Sequence, residues 1–374
     1  MDSNHYLYLL KKFRRELHQI PEIGDDLPKT QAYILNALKG LKCTVTPILN
    51  SGLYVYFDFN AAQTVAYRAD MDALPIDEDS TQEYKSIHPG KAHACGHDGH
   101  MAMCLALCHY ADTLTSSSKN LLVIFQPAEE TIGGAKPICD TGLLERYNVV
   151  KVFGYHLWPF AEAGVITGKP GPMQPKSSEI SIEITGKASH ATSPQNGIDA
   201  LYIACKYILN VQDAHKKEMP QNPKADEKTI IQICKMESGT ARNIISGHTS
   251  LLGTLRAFNE THFEKLVTIL KDEARKLENE FNCKFKVSHS EGYAPVINNI
   301  ELFDEISHIL SSRNFVLMEN PAMISEDFSY YSFHAPAVFL FLGTGTGIAL
   351  HSNNFDFEES ILLEGLKLYI DLFY

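Results

Sequence analysis

The stretch His93-Ala-Cys-Gly-His-Asp-Gly-His100 places three imidazoles, one thiol and one carboxylate within eight residues. Cys95 and His97 stand two apart with Gly96 between them, so a tight backbone can aim a soft sulfur and an imidazole at one point. That is metal-site chemistry, and one short cluster does not complete a coordination shell. The other ligands must come from elsewhere in the chain. Without them, the same residues would read as a polar loop with a structural cysteine.

Adjacent carboxylates are the second signal. The apolar run Leu121-Leu-Val-Ile-Phe-Gln126 reads as a buried strand and leads straight into Pro127-Ala-Glu-Glu130. Neighbouring acids repel and point apart, which folding alone does not favour. A hydrolytic metal site needs that divergence: one carboxylate holds the cation while its neighbour faces the substrate and takes a proton from water. An exposed acidic turn is the alternative. Thr64-Val-Ala-Tyr-Arg-Ala69 is another predicted buried strand, ending in Asp70-Met-Asp72, and the strand Val149–Tyr155 delivers His156. Three strand exits and one loop therefore each carry a ligand-type group. In open, mostly parallel sheets the carboxyl ends of the strands hold the chemistry.

The elements that must position these residues follow from periodicity. Residues 6–19 and 29–41 read as helices, 44–49 and 53–57 as short strands, and Met101–Tyr110 as an apolar core helix. Cys104 and Cys108 on that helix are expected to pack rather than ligate, and His100 and His109 to make structural hydrogen bonds. Residues 164–175 are rich in glycine and proline and read as an inter-domain hinge. Beyond them the order is strand 178–185, helix 197–211, strands 229–236 and 249–258, helix 262–281 and strand 284–289, the β-α-β-β-α-β pattern of a ferredoxin-like unit. The chain then returns to helix 300–311, strand 337–342 and an amphipathic helix 359–372. Between these, Gly343–His351 is a glycine-rich loop ending in histidine, and it lacks the lysine and following helix of a phosphate cradle. The predicted fold class is α/β. A discontinuous catalytic domain, 1–175 and 291–374, has a central, mostly parallel sheet flanked by helices, and an inserted ferredoxin-like α+β lid or dimerisation domain spans 176–290.

Composition bounds the function. A length of 374 residues favours two domains. A net charge of -12 leaves no basic patch for a nucleic-acid backbone. No apolar run is long enough for a bilayer span and no leader pattern is visible, so a cytoplasmic protein without a membrane partner is expected. The eight cysteines are scattered, several in apolar runs, as reduced core thiols would be.

Taken together, Tyr67–Pro75, Ala94–His100, Phe125–Glu130, Gly154–Pro159, Ile324–Phe328 and Leu350-His351 resemble one family across nearly the whole chain and in the same order. It is the metal-dependent amidohydrolase, aminoacylase and carboxypeptidase family that includes hippurate hydrolase, auxin-conjugate hydrolases and N-acetyldiaminopimelate deacetylase. The resemblance implies two divalent metal ions (manganese, zinc, cobalt or nickel) held by Cys95, His97, Glu130, His156 and His351, with Cys95 as a bridge. It implies Glu129 as general base and acid, and Asp70 as a second acid of the site, with Asp72 the weaker candidate because it shares a strand face with Asp70. In the inserted domain it implies His190 as an oxyanion-stabilising residue reaching a neighbouring subunit of a homodimer, and Asn243 and Arg256 as binders of a substrate carboxylate. The implied activity is cleavage of the amide of an N-acyl amino acid, with N-acetyl-diaminopimelate in lysine biosynthesis and hippurate-like compounds as candidates. A dipeptidase or carboxypeptidase of the same family and a catalytically silent binding protein are the alternatives. Ile20 departs from relatives, which tend to carry histidine there, without touching any implied ligand.

Overall fold

The computed structural model describes residues 1–220 and 222–374. The chain divides into two compact units, residues 1–173, 297–319 and 327–374 forming the first and residues 174–296 and 320–326 the second.

The first unit is built on an eight-stranded mixed sheet. Its centre is parallel: Asn120–Gln126, Thr64–Asp70, Val149–Trp158 and Ala337–Gly343 lie side by side in that order. Every residue of Thr64–Asp70, Asn120–Gln126 and Ala337–Gly343 is buried, the continuous apolar pattern of strands covered on both faces. Antiparallel Gly52–Phe57 and Thr44–Ile48 extend one edge, and the short strands Ile166–Gly168 and Phe315–Leu317 finish the other. Those last two were not foreseen. Three residues give no usable period, and Ile166–Gly168 lies inside the stretch read as a hinge.

Register fixes the site. Asp70 pairs with Gln126, so those two strands end at one level, and Arg68 pairs with Gly154, so His156, two residues before the end of the longer strand Val149–Trp158, comes out beside Asp70. Helices Ser3–His18, His97–Asp112 and Leu362–Phe373 pack into one core cluster with the sheet. Helix His97–Asp112 is buried along nearly its whole length, which is why Cys104 and Cys108 are packing thiols.

The second unit is an antiparallel four-stranded sheet in the order Thr229–Ser238, His248–Ala257, Lys176–Thr185, Lys284–His289, with helices Ala200–Glu218 and Glu260–Phe281. This is the ferredoxin-like arrangement. Alternating Ile180, Ile182 and Ile184 bury one sheet face against Ile203, Tyr207, Leu266 and Leu270 of the helices. Asp199 and Asn259 cap the two helix starts with their side-chain oxygens.

Candidate metal centre

Gly96 explains the local geometry around Cys95. It sits in the left-handed region, φ 83°, where it caps the start of helix His97–Asp112. A side chain there would also collide with Leu157, whose Cδ1 lies 2.7 Å from where a Cβ would be. His97 is thus the first residue of the helix rather than part of a loop, and His97 and His100 share its first turn with ring centroids 5.4 Å apart.

Strand Val149–Trp158, the segment after strand Asn120–Gln126, the glycine-rich loop and the first residue of helix His97–Asp112 bring ligand-type groups to Cys95. Its sulfur lies 3.3 Å from His156 Nε2 and 3.4 Å from His351 Nε2. His351 Nε2 in turn lies 3.2 Å from Glu130 Oε1, and His97 Nε2 lies 3.8 Å from the same oxygen. Two groups of ligand atoms, each mutually within 4.8 Å, share Cys95: one adds His97 and His156, the other Glu130 and His351. Glu129, buried, joins His97 and Glu130 in a third. His351 is fixed by its backbone, whose N–H donates to Ala94 O at 2.9 Å, and its φ of 65° is unusual for a residue with a side chain.

The histidine tautomers follow from their partners. His156 Nδ1 faces Leu157 O at 2.7 Å and His97 Nδ1 faces Asp72 O at 2.8 Å. Carbonyls only accept, so each Nδ1 carries the proton and each Nε2 is turned toward the shared centre. His97 Nε2 is fully buried with no hydrogen-bond partner. Backbone-fixed imidazoles, a thiol and a carboxylate converging in this way are the donor set of a transition-metal site.

The electrostatics show which protons a bound cation would have to displace. Burial, reinforced by Glu130 and Glu129, pushes the Cys95 thiol well above its ordinary range, so a thiolate there needs a positive charge beside it. Burial together with His100 and His97 pulls His156 down to about 3, leaving a neutral imidazole. His97 goes the other way. Burial disfavours its charge, but Asp70, Asp72 and Glu130 outweigh it and lift His97 to about 10. Glu130, despite burial, is drawn down to about 2 by His351 and His97. A cation here would take the place of the protons on Cys95 Sγ and His97 Nε2 and meet the charge of the surrounding carboxylates.

Around this centre lie residues whose roles the sequence left open. The strand ends at Asp70, so Asp72 lies past it and the shared-face reasoning does not apply. Its carboxylate accepts from the backbone N–H groups of Glu129 at 3.0 Å and Glu130 at 3.1 Å, orienting both acids. Asp70 accepts from Arg68 Nη1 at 2.7 Å and pairs with His100 Nδ1 at 2.6 Å, and its Oδ2 is 3.6 Å from His97 Nε2. His100 Nε2 accepts from Leu157 N at 2.9 Å, so this histidine does make structural hydrogen bonds. Arg68, read only as part of a strand, is a buried guanidinium that also bonds Gln126 and Asp327.

The remaining predicted residues belong to the second unit. His190 is exposed, pairs in a two-residue strand with Ile244, and places Nδ1 2.8 Å from Thr192 Oγ1. Asn243 O accepts from Ala191 N at 2.9 Å, so His190 and Asn243 lie together. Arg256 does not join them. It sits at the other end of strand His248–Ala257, eight residues and roughly 26 Å from His248. Its Nη1 is buried without a hydrogen-bond partner.

Comparison with known proteins places the chain. Residues 66–374 match the model of peptidase family M20/M25/M40. An N-acetyldiaminopimelate deacetylase of Leuconostoc citreum is 33% identical over 366 residues, 95% of this chain and 93% of that protein. One of Limosilactobacillus reuteri is 32% identical over 368 residues, 96% and 95% of the two chains. The crystal structure of the Bacillus subtilis YXEP protein, described as a dinuclear metal-binding peptidase of the M20 family, shares the fold with a TM-score of 0.84 at 24% identity, covering 99% of this chain and 98% of that one. The chain therefore belongs to peptidase family M20/M25/M40 and is a hydrolase of amide bonds.

Proposed function

We propose that this protein is a di-metal deacylase that cleaves the amide of N-acyl amino acids, with N-acetyl-diaminopimelate as the leading substrate. The observation that carries the proposal is the sharing of Cys95 by two ligand groups beside Glu129. Cys95, His97, His156, Glu130 and His351 would hold two divalent cations, which would supply the positive charge this set lacks. Soft sulfur, imidazole and carboxylate donors suit zinc, cobalt or nickel, whereas manganese is carried over from the family resemblance alone. The relatives named N-acetyldiaminopimelate deacetylase support the acyl amino acid as substrate class.

Bound cations would supply the positive charge that acidifies a water and polarises the substrate carbonyl. Glu129 takes the proton released as the water attacks and later gives it to the leaving amine. Asp72 keeps Glu129 aimed through its backbone N–H, and Asp70 acts on His97 as the second acid of the site. Arg256 offers a planar fork to the amino-acid carboxylate, a role supported by its buried, unpartnered Nη1. Asn243 is assigned to the same carboxylate. His190 would stabilise the developing oxyanion, reaching the site of a second subunit in a homodimer formed through the inserted domain. Eight free cysteines support a reducing, cytoplasmic setting. Among the described residues, no helix is long and apolar enough to cross a membrane.

The test joins metal analysis of the purified protein to a substrate panel. Release of acetate from N-acetyl amino acids by protein carrying two metals per chain is expected. Preference for dipeptides would move the assignment to a dipeptidase. Metal-free, inactive protein that still binds acyl amino acids would overturn it in favour of a binding protein.

A further inference from the structure

The loop carrying Glu129 and Glu130 leaves the sheet after Gln126 and rejoins regular structure at Ala135, the first residue of helix Ala135–Asp140. Both of its ends are tied to one side chain far downstream. Gln126 Nε2 donates to Asp327 Oδ1 at 2.9 Å and Oδ2 at 2.7 Å, and Ala135 N donates to Asp327 Oδ2 at 2.9 Å. Arg68 Nη2 donates to Asp327 Oδ1 at 2.7 Å. Asp327 is fully buried.

The loop itself is wound to fit this closure. Ala128 adopts φ 64°, a strained backbone for a residue with a Cβ, and its carbonyl accepts from Gly133 N at 2.9 Å. Gly134 presses so close to the loop entrance that an added Cβ would fall 2.0 Å from Pro127 O. A strained turn persists only where its surroundings over-determine it. Here the determining group is a carboxylate whose two oxygens accept four N–H contacts, which fills its acceptor capacity. One Asp327 oxygen comes within 4.8 Å of one of Glu129. With its lone pairs taken by donors and its charge met by Arg68, Asp327 is built to hold the loop rather than to bind a cation.

We propose that Asp327 is a positioning residue: it clamps the two ends of the Pro127–Gly134 loop and so fixes the direction of the Glu129 carboxylate. The inference rests on Glu129 acting as the base. Its consequence is specific, because Asp327 touches no proposed metal ligand side chain through a hydrogen bond, so its loss should misdirect the base while the cations stay bound.

The experiment uses Asp327→Asn, which keeps the shape but turns one acceptor oxygen into a donor facing other donors. Turnover should fall about 100-fold with KM changed less than about threefold, because a misplaced base acts on the transition state and not on binding. Metal content per chain should match wild type. Independently of activity, hydrogen exchange across residues 127–135 should quicken about tenfold while strand Thr64–Asp70 and helix His97–Asp112 keep their protection. Unchanged exchange in the loop overturns the proposal, and so does acceleration spread over the whole unit, which would make Asp327 an ordinary stabilising group. If Asp327→Asn does not fold, Gln126→Leu cuts the entrance tie, together with the bonds Gln126 Oε1 accepts from Arg68 Nε and Tyr331, and leaves Ala135 tied to Asp327; local loosening of residues 127–135 is then expected, and its absence overturns the clamp. The two readings fail separately. Loop loosening in a protein that hydrolyses no N-acyl amino acid would sink the deacylase proposal alone, whereas active wild type with an unaltered loop in the variant would sink the clamp alone.

Discussion

Two buried charge clusters touch the first turn of helix His97–Asp112, and they are finished differently. Around Asp98 nearly every charge is matched. Arg14 Nε reaches Asp98 at 3.0 Å and Arg14 Nη2 reaches Asp356 at 2.6 Å; His18 bridges Asp98 at 2.7 Å and Glu78 at 3.1 Å; Arg15 pairs with Glu359 at 2.6 Å. One residue earlier, around His97, thiol, imidazole and carboxylate atoms crowd together at 3.3–3.8 Å, and the buried His97 Nε2 makes no hydrogen bond. The first cluster pins helix Ser3–His18 to the helix carrying the metal-site histidines. The second leaves ligand-type atoms unmet. An unmet buried polar group is costly, and where several ligand-type atoms share the deficit, as around His97, the arrangement points to a site that a ligand completes.

Four changes would break or sharpen this contrast. The largest effect should come from Glu129→Gln, which removes the base but no ligand: turnover should drop about 1000-fold with both metals retained, and near-normal rates would end the assignment. Cys95→Ala should weaken metal affinity about 100-fold in a chelator competition, since both ligand groups lose the atom they share; unchanged metal content would make the thiol structural. In the saturated cluster the readout changes from metal to stability. Arg14→Met strips buried Asp98 of its guanidinium, with His18 still beside it, and should cost about 3–5 kcal/mol in denaturant unfolding of the metal-loaded protein, without altering metal stoichiometry.

The smallest effect is a pH dependence. Burial disfavours charge on His18, but Asp98 and the bonds to Asp98 and Glu78 prevail and raise it to about 9. Folded His18 therefore holds its proton when the unfolded chain, titrating near 6.5, has lost it. The stabilisation is complete below about pH 6.5 and disappears as pH rises through about 9, amounting to about 3 kcal/mol. Wild-type melting temperatures should fall over that window more steeply than those of His18→Gln. Parallel slopes would mean that His18 is not charged in the fold.

How far the sequence reaches can be seen in particular residues. The central strands were legible because continuous apolar runs such as Leu121–Phe125 have no other use in a chain of this charge. The candidate donors were legible because their types are chemically rare in such positions. Boundaries were less so. The strand carrying His156 was expected to end at Tyr155, yet it continues to Trp158 because Ala337–Gly343 pairs with it, His156 opposite Phe341. That partner is nearly two hundred residues away and leaves no local mark. Asp327 looked like one more acidic turn for the same reason: its four donors come from Arg68, Gln126 and Ala135.

The amino-acid sequence by itself determined which groups could bind a cation and move a proton, since ligand softness, acidity and strand-forming patterns are properties of residues and their immediate neighbours. Only the tertiary structure decided that both groups of candidate ligand atoms close on Cys95, that Asp72 orients the two glutamates, and that Asp70 is held by Arg68 and His100. Distances of a few ångströms between strand ends depend on register and on the packing of remote elements, and chain order does not encode those separations locally.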